Sequence, residues 1–109
     1  MNEIIDFLKN GSVQIKAAWI DHGTFGMLDS VEDVIYINLN MLITYTIVHE
    51  YLHYKYGLAE EEEIIIKTNR VMDQLPRSVI EEIAEISLTL IQEGFESGDQ
   101  RKKGGKGKG

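Results

Sequence analysis

The hydrophobic residues of this chain change from a strand-like to a helix-like spacing near Asn40, and that change limits the folds open to it. Before Asn40, apolar and polar residues alternate in short runs such as Val13 to Trp19, and alternation with period two is typical of β-strands. After Asn40, apolar residues recur every three or four positions, which is the spacing of one helix face. Strands followed by helices predict an α+β domain.

We predict seven elements in the order α-β-β-β-α-α-α, with a small three-stranded sheet. Asn2 is the expected N-cap of a short first helix that ends at Gly11. The segments SVQIKAAWI, TFGML and VIYIN predict the strands, the first two as a hairpin and the third as the most buried.

Three helices are expected after the strands. The first ends at Gly57, and the second runs from about Glu60 to Leu75, where Pro76 stops it. The pattern of Ser78 followed three residues later by Glu81 indicates a capping box, so the last helix should begin there and end near residue 93.

Composition narrows the class of protein. A chain of 109 residues suits one domain with one core, and the absence of cysteine excludes disulfides and thiolate metal sites. The N-terminus lacks the basic start of a secretory signal, and no apolar run is long enough for a membrane span. We therefore expect a cytoplasmic protein with no membrane partner.

The net charge of −7 is unevenly distributed. Residues 99–109 carry five basic groups and one acidic group, a net of +4, and residues 1–98 carry the remaining −11. An acidic body does not favour nucleic acid as a partner. We predict a single domain over residues 1–96 and a disordered Gly/Lys-rich tail over residues 97–109.

The segment HEYLH, residues 49–53, carries the chemistry. Positions i and i+4 share a helix face, so His49 and His53 can bind one cation, and zinc accepts neutral imidazole. Glu50 lies about 100° around the helix, where it can reach a zinc-activated water as a general base. This pattern predicts a zinc-dependent metallopeptidase, most simply an endopeptidase, that acts on peptide or protein substrates.

The third zinc ligand must be acidic if it lies downstream, because no histidine follows His53. The candidates are the four glutamates at positions 60–63. Glu61 precedes Ile64 by three residues and therefore continues the apolar face of its helix toward the preceding helix. We predict Glu61 as the ligand, with Glu62 as the next candidate.

The sequence leaves two interpretations for the remaining histidine and for the tyrosines. His22 lies in a DHG turn, where a solvated side chain is the first interpretation and a substrate contact or upstream ligand the second. The tyrosines at positions 45, 51, 54 and 56 either pack or include one donor to an oxyanion.

HEYLH, its Gly57 turn and the acidic helix start together resemble the gluzincin-type metallopeptidases, especially minigluzincins and compact ImmA/IrrE-like domains. The resemblance covers about Val13 to Leu75 and implies zinc ligation by the two histidines. It also implies that the strand from Thr24 to Leu28 pairs with extended substrate. Minigluzincins use a histidine as third ligand, and this chain has none after HEYLH.

Two further expectations concern regulation and assembly. The resemblance implies C-terminal latency, so the basic tail could cover the active site as in a zymogen, while a plain solvated end is the alternative. The last helix is apolar on more than one face, which indicates a homo-oligomer or a buried third layer. The competing function is a non-catalytic zinc-binding or protein-interaction module with a basic tail.

Overall fold

The computed structural model of the protein describes residues 2–101, with side chains described for residues 2–95. The predicted α+β fold and its element order are confirmed. The elements are α1 (Glu3–Lys9), β1 (Gln14–Ala17), β2 (Gly26–Asp29), β3 (Val34–Ile37), α2 (Leu39–Lys55), α3 (Glu61–Gln74) and α4 (Arg77–Arg101).

The predicted caps have different outcomes. Asn2 caps α1, because its side-chain oxygen accepts hydrogen bonds from the backbone N–H groups of Ile4 and Ile5 at 2.8 and 3.4 Å. The capping box at Ser78 is wrong, since α4 already begins at Arg77. Glu81 instead accepts a hydrogen bond from the guanidinium of Arg77 at 2.8 Å, one helical turn away.

Strand β3 is the centre of the sheet, which has the order β1-β3-β2. β3 pairs in parallel with β1 and antiparallel with β2. The predicted hairpin of the first two strands is therefore wrong, and β2 forms its hairpin with β3. Asp29 closes that turn by accepting hydrogen bonds from the N–H groups of Val31 and Glu32. Val34 at the start of β3 is buried, as expected for the most apolar strand.

The core lies among the three long helices. α2 packs against both α3 and α4. Apolar side chains from all three helices form the buried cluster, which comprises Met41, Val48, Leu52, Ile64, Met72 and Ile80. Thr44 is also fully buried, and its hydroxyl donates a hydrogen bond of 2.9 Å to the carbonyl of Ile80. The contacts with α3 and α4 therefore fix the position of α2, whose remaining face is open to solvent.

Helix α4 is longer than the sequence predicts. It continues to Arg101, past the expected end near residue 93. Gly94 and Gly98 lower helix propensity, but no proline interrupts the segment and the hydrogen bonding continues through it. Residues 97–101 of the predicted tail are thus helical, and residues 102–109 lie outside the described residues. Within residues 2–101, none of the helices has the length and apolar character that a membrane span needs.

Candidate metal centre

The two histidines of HEYLH lie one turn apart on α2, as their spacing predicts. Their ring centroids are 4.8 Å apart, and the rings meet edge to face. The His49 side chain is 14% exposed and that of His53 is 35% exposed. The pair therefore lies at the surface of the helix layer, with His49 set deeper than His53.

Glu61 is the first residue of α3 and closes the cluster. One carboxylate oxygen lies 2.6 Å from Nε2 of His53, and the other lies 3.1 Å from Nε2 of His49. Ligand atoms of the three residues all lie within 4.8 Å of one another. Tetrahedral ligands held ~2.0–2.1 Å from a zinc ion are about 3.4 Å apart, so these three residues could hold one small cation once the Glu61–His53 hydrogen bond opens by roughly 0.8 Å.

The fold explains why Glu61 is the glutamate brought to the histidines. Ile64, one turn later on the same face, is fully buried against α2 and fixes the rotation of α3. Glu60, Glu62 and Glu63 border a different concave surface, together with Leu58 and the side chains farther along α3. The structure thus places the first-choice ligand at the cluster and the other three candidates away from it.

Glu50 is exposed and lies outside the group of three ligands. It borders an open cleft of about 310 Å³, which His49, Glu61, Tyr45, Thr46 and Ile65 also line. A carboxylate beside a metal cluster but not part of it is free to accept a proton from a group bound in the cleft. The sequence predicts Glu50 as a general base, and the structure places it in the lining of this cleft.

Two neighbours hold the His49 ring in place. The ring of Tyr45 stacks on it at 6.1 Å between centroids, with 14° between the planes. At the edge of the ring, Nδ1 of His49 lies 3.2 Å from the hydroxyl oxygen of Thr68. The contact of His49 with Thr68 was not predicted from the sequence. The available signal was the position of Thr68 seven residues after Glu61, two turns along the same face.

His22 lies apart from the metal cluster. Its Nε2 is 2.6 Å from the backbone carbonyl oxygen of Met72, near the C-terminal end of α3, and its ring packs edge-on against Trp19. The interpretation as a solvated turn residue is therefore incomplete, because the side chain ties the β1–β2 connection to α3. Within residues 2–95, the cluster of potential metal ligands that contains His49 does not include His22.

Among the described residues, the other tyrosines give no further group beside His49, His53 and Glu61. Tyr51 and Tyr54 are exposed. The ring of Tyr56 lies under the ammonium groups of Lys55 and Lys67, at 5.3 and 4.7 Å from the centroid. Of the four tyrosines, Tyr45 is the one that lines the cleft.

Comparisons of the chain with protein-family models, with curated proteins and with solved structures found no match. The assignment of a function therefore depends on the chemistry of the cluster and its cleft.

Proposed function

We propose that this protein is a zinc-dependent peptidase of the gluzincin type, with His49, His53 and Glu61 as metal ligands and Glu50 as general base. One observation carries the proposal: three potential ligands converge beside an open cleft that also contains a separate carboxylate. Catalytic zinc sites have three protein ligands and one open position, and a His₂Glu set is one of their established forms.

The open position argues against a purely structural zinc site. Structural sites fill all four tetrahedral positions with protein ligands. Among the side chains described here, the cluster contains three potential ligands. Two histidines and a carboxylate also suit non-haem iron. The free Glu50 beside the ligands favours hydrolysis, which needs a base next to the activated water.

The side chains have distinct roles in the proposed reaction. Zinc, when bound, supplies a Lewis acid that lowers the pKa of water to about 7 and polarises the scissile carbonyl. Glu50 accepts the proton of the attacking water as the C–O bond forms. It then donates that proton to the amide nitrogen as the C–N bond breaks, which yields a carboxylate and a free amine.

Strand β2 offers a route for substrate to reach the cleft. It lies at an edge of the sheet, so among residues 2–101 one side of its backbone has no partner strand. Phe25, directly before β2, contacts the ring of Tyr45 at 5.5 Å between centroids, and Tyr45 lines the cleft. We propose that an extended peptide adds to this edge by β-augmentation, next to the cleft that Tyr45 lines.

The test compares the zinc-loaded wild type with Glu50→Gln and with Glu82→Gln. Glu82 is an exposed glutamate on α4 that does not line the cleft, and it serves as a control for the same chemical change. We expect one zinc per chain in all three proteins, hydrolysis of an unfolded protein substrate by wild type and Glu82→Gln, and loss of hydrolysis in Glu50→Gln. Removal of a general base costs roughly 10²–10⁴-fold in rate. Full activity of Glu50→Gln, or iron in place of zinc, would refute the proposal.

A further inference from the structure

The hydroxyl of Thr68 lies beneath the metal cluster in the interior of the protein. Thr68 is fully buried on α3, and its oxygen touches two groups. The backbone carbonyl of Ile64 lies 2.7 Å away, and Nδ1 of His49 lies 3.2 Å away. A buried polar group this close to a ligand nitrogen determines which hydrogen bonds that ligand can make.

The direction of these hydrogen bonds follows from counting protons. A threonine hydroxyl has one proton, and here it is donated to the carbonyl of Ile64 one turn earlier on the same helix. The hydroxyl oxygen can then offer only a lone pair to His49. With zinc bound, Nε2 of His49 would give its lone pair to the metal and Nδ1 would carry the hydrogen, which the Thr68 oxygen can accept. Nε2 is the nitrogen that faces Glu61.

We infer that Thr68 is a positioning residue, which fixes His49 in the Nδ1–H tautomer and leaves Nε2 available to the metal. The inference rests on the proposed metal site and adds a residue that HEYLH does not contain. Many zinc-bound histidines donate their second ring N–H to a carboxylate or a backbone carbonyl. A buried threonine that has already donated its own proton performs the same task here.

The two histidines differ in this respect. The ring of His53 has one hydrogen-bonding contact among the described side chains, the carboxylate of Glu61. His49 is held by Thr68 at one edge and by the stacked ring of Tyr45 on its face. We therefore expect His49 to be the preorganised ligand and its affinity for metal to depend on Thr68.

Three variants separate positioning from packing. Thr68→Val keeps the shape of the side chain and removes the hydroxyl. Thr68→Ser keeps the hydroxyl and removes the methyl group. Thr44→Val is the matched control, because Thr44 is an equally buried threonine whose hydroxyl contacts Ile80 rather than a histidine.

Zinc affinity is measured by competition with a chelator of known affinity, on full-length protein whose folding has been verified by circular dichroism. We expect Thr68→Val to bind zinc roughly 10–100-fold more weakly, the usual effect of removing such a partner. Thr68→Ser and Thr44→Val should remain close to wild type. As a second readout, the Nδ1–H proton of His49 should exchange slowly with water in zinc-loaded wild type and Thr68→Ser, and rapidly in Thr68→Val.

The outcomes distinguish this inference from the proposed function. If wild type binds no zinc, both fail. If wild type binds zinc and a folded Thr68→Val binds it equally well with a slowly exchanging Nδ1–H, the positioning role is refuted and the metal site stands. Weak binding by Thr68→Ser would also refute the role, because the methyl group rather than the hydroxyl would then be responsible.

Discussion

Glutamine in place of Glu61 removes one charge from the group of His49, His53 and Glu61 and keeps the size of the side chain. The carboxylate spans both imidazoles, at 2.6 and 3.1 Å from their Nε2 atoms, so each of its oxygens has a role. An amide keeps one oxygen and turns the other position into an N–H donor. That donor cannot bind a cation.

The expected loss follows from typical zinc energetics. Structural zinc sites bind with about 10–16 kcal/mol in total, so one of four ligands contributes on the order of 3 kcal/mol. Since 1.4 kcal/mol corresponds to a factor of about ten, Glu61→Gln should weaken zinc binding by roughly 100-fold. Glu62→Gln is the matched control, because it makes the same change one residue later, away from the histidines.

Thermal unfolding with and without zinc measures this difference. At a zinc concentration of 100 times the wild-type Kd, binding adds about 2.7 kcal/mol to the free energy of unfolding, which raises Tm by roughly 10–20 °C. At that concentration the Glu61→Gln site is half filled, which adds about 0.4 kcal/mol and raises Tm by only about 2–3 °C. Glu62→Gln should respond like the wild type. Equal zinc-induced shifts in both variants would refute Glu61 as a ligand.

Two further predictions concern stability. Ile64→Ala should lower the free energy of unfolding by about 2–5 kcal/mol in denaturant titrations, because Ile64 is completely buried between α2 and α3. A loss below about 1 kcal/mol would contradict that packing. His22→Ala should cost about 1 kcal/mol of stability by removing the contact with the Met72 carbonyl, while zinc affinity stays within about twofold of wild type. A large loss of zinc in this variant would make His22 a ligand.

The parts of the fold that depend on local periodicity could be predicted from the sequence. The apolar spacing of α2 and α3 locates both helices. The apolar face of α3 begins at Ile64, and its direction selects Glu61 from four adjacent glutamates. Strand pairing could not be predicted in the same way, because alternation within a strand does not show which other strand will pair with it. The wholly apolar β3 took the central position, and β1 joined it in parallel.

The site shows the same division between local and long-range information. His49, Glu50 and His53 belong to one helical segment, so their spacing alone places them. The contact of Thr68 could not be predicted, because nothing local shows that its hydroxyl meets a histidine of another helix. A polar side chain on a buried helix face needs a hydrogen-bond partner, and on α3 this rule applies to Thr68.

The most direct test of the peptidase assignment is mass spectrometry of an unfolded protein substrate, incubated with the zinc-loaded full chain in heavy-oxygen water. The account predicts new C-terminal carboxylates that each carry one heavy oxygen atom with the wild type, and an intact substrate with Glu50→Gln. An intact substrate after incubation with wild type that holds one zinc per chain would contradict the central claim.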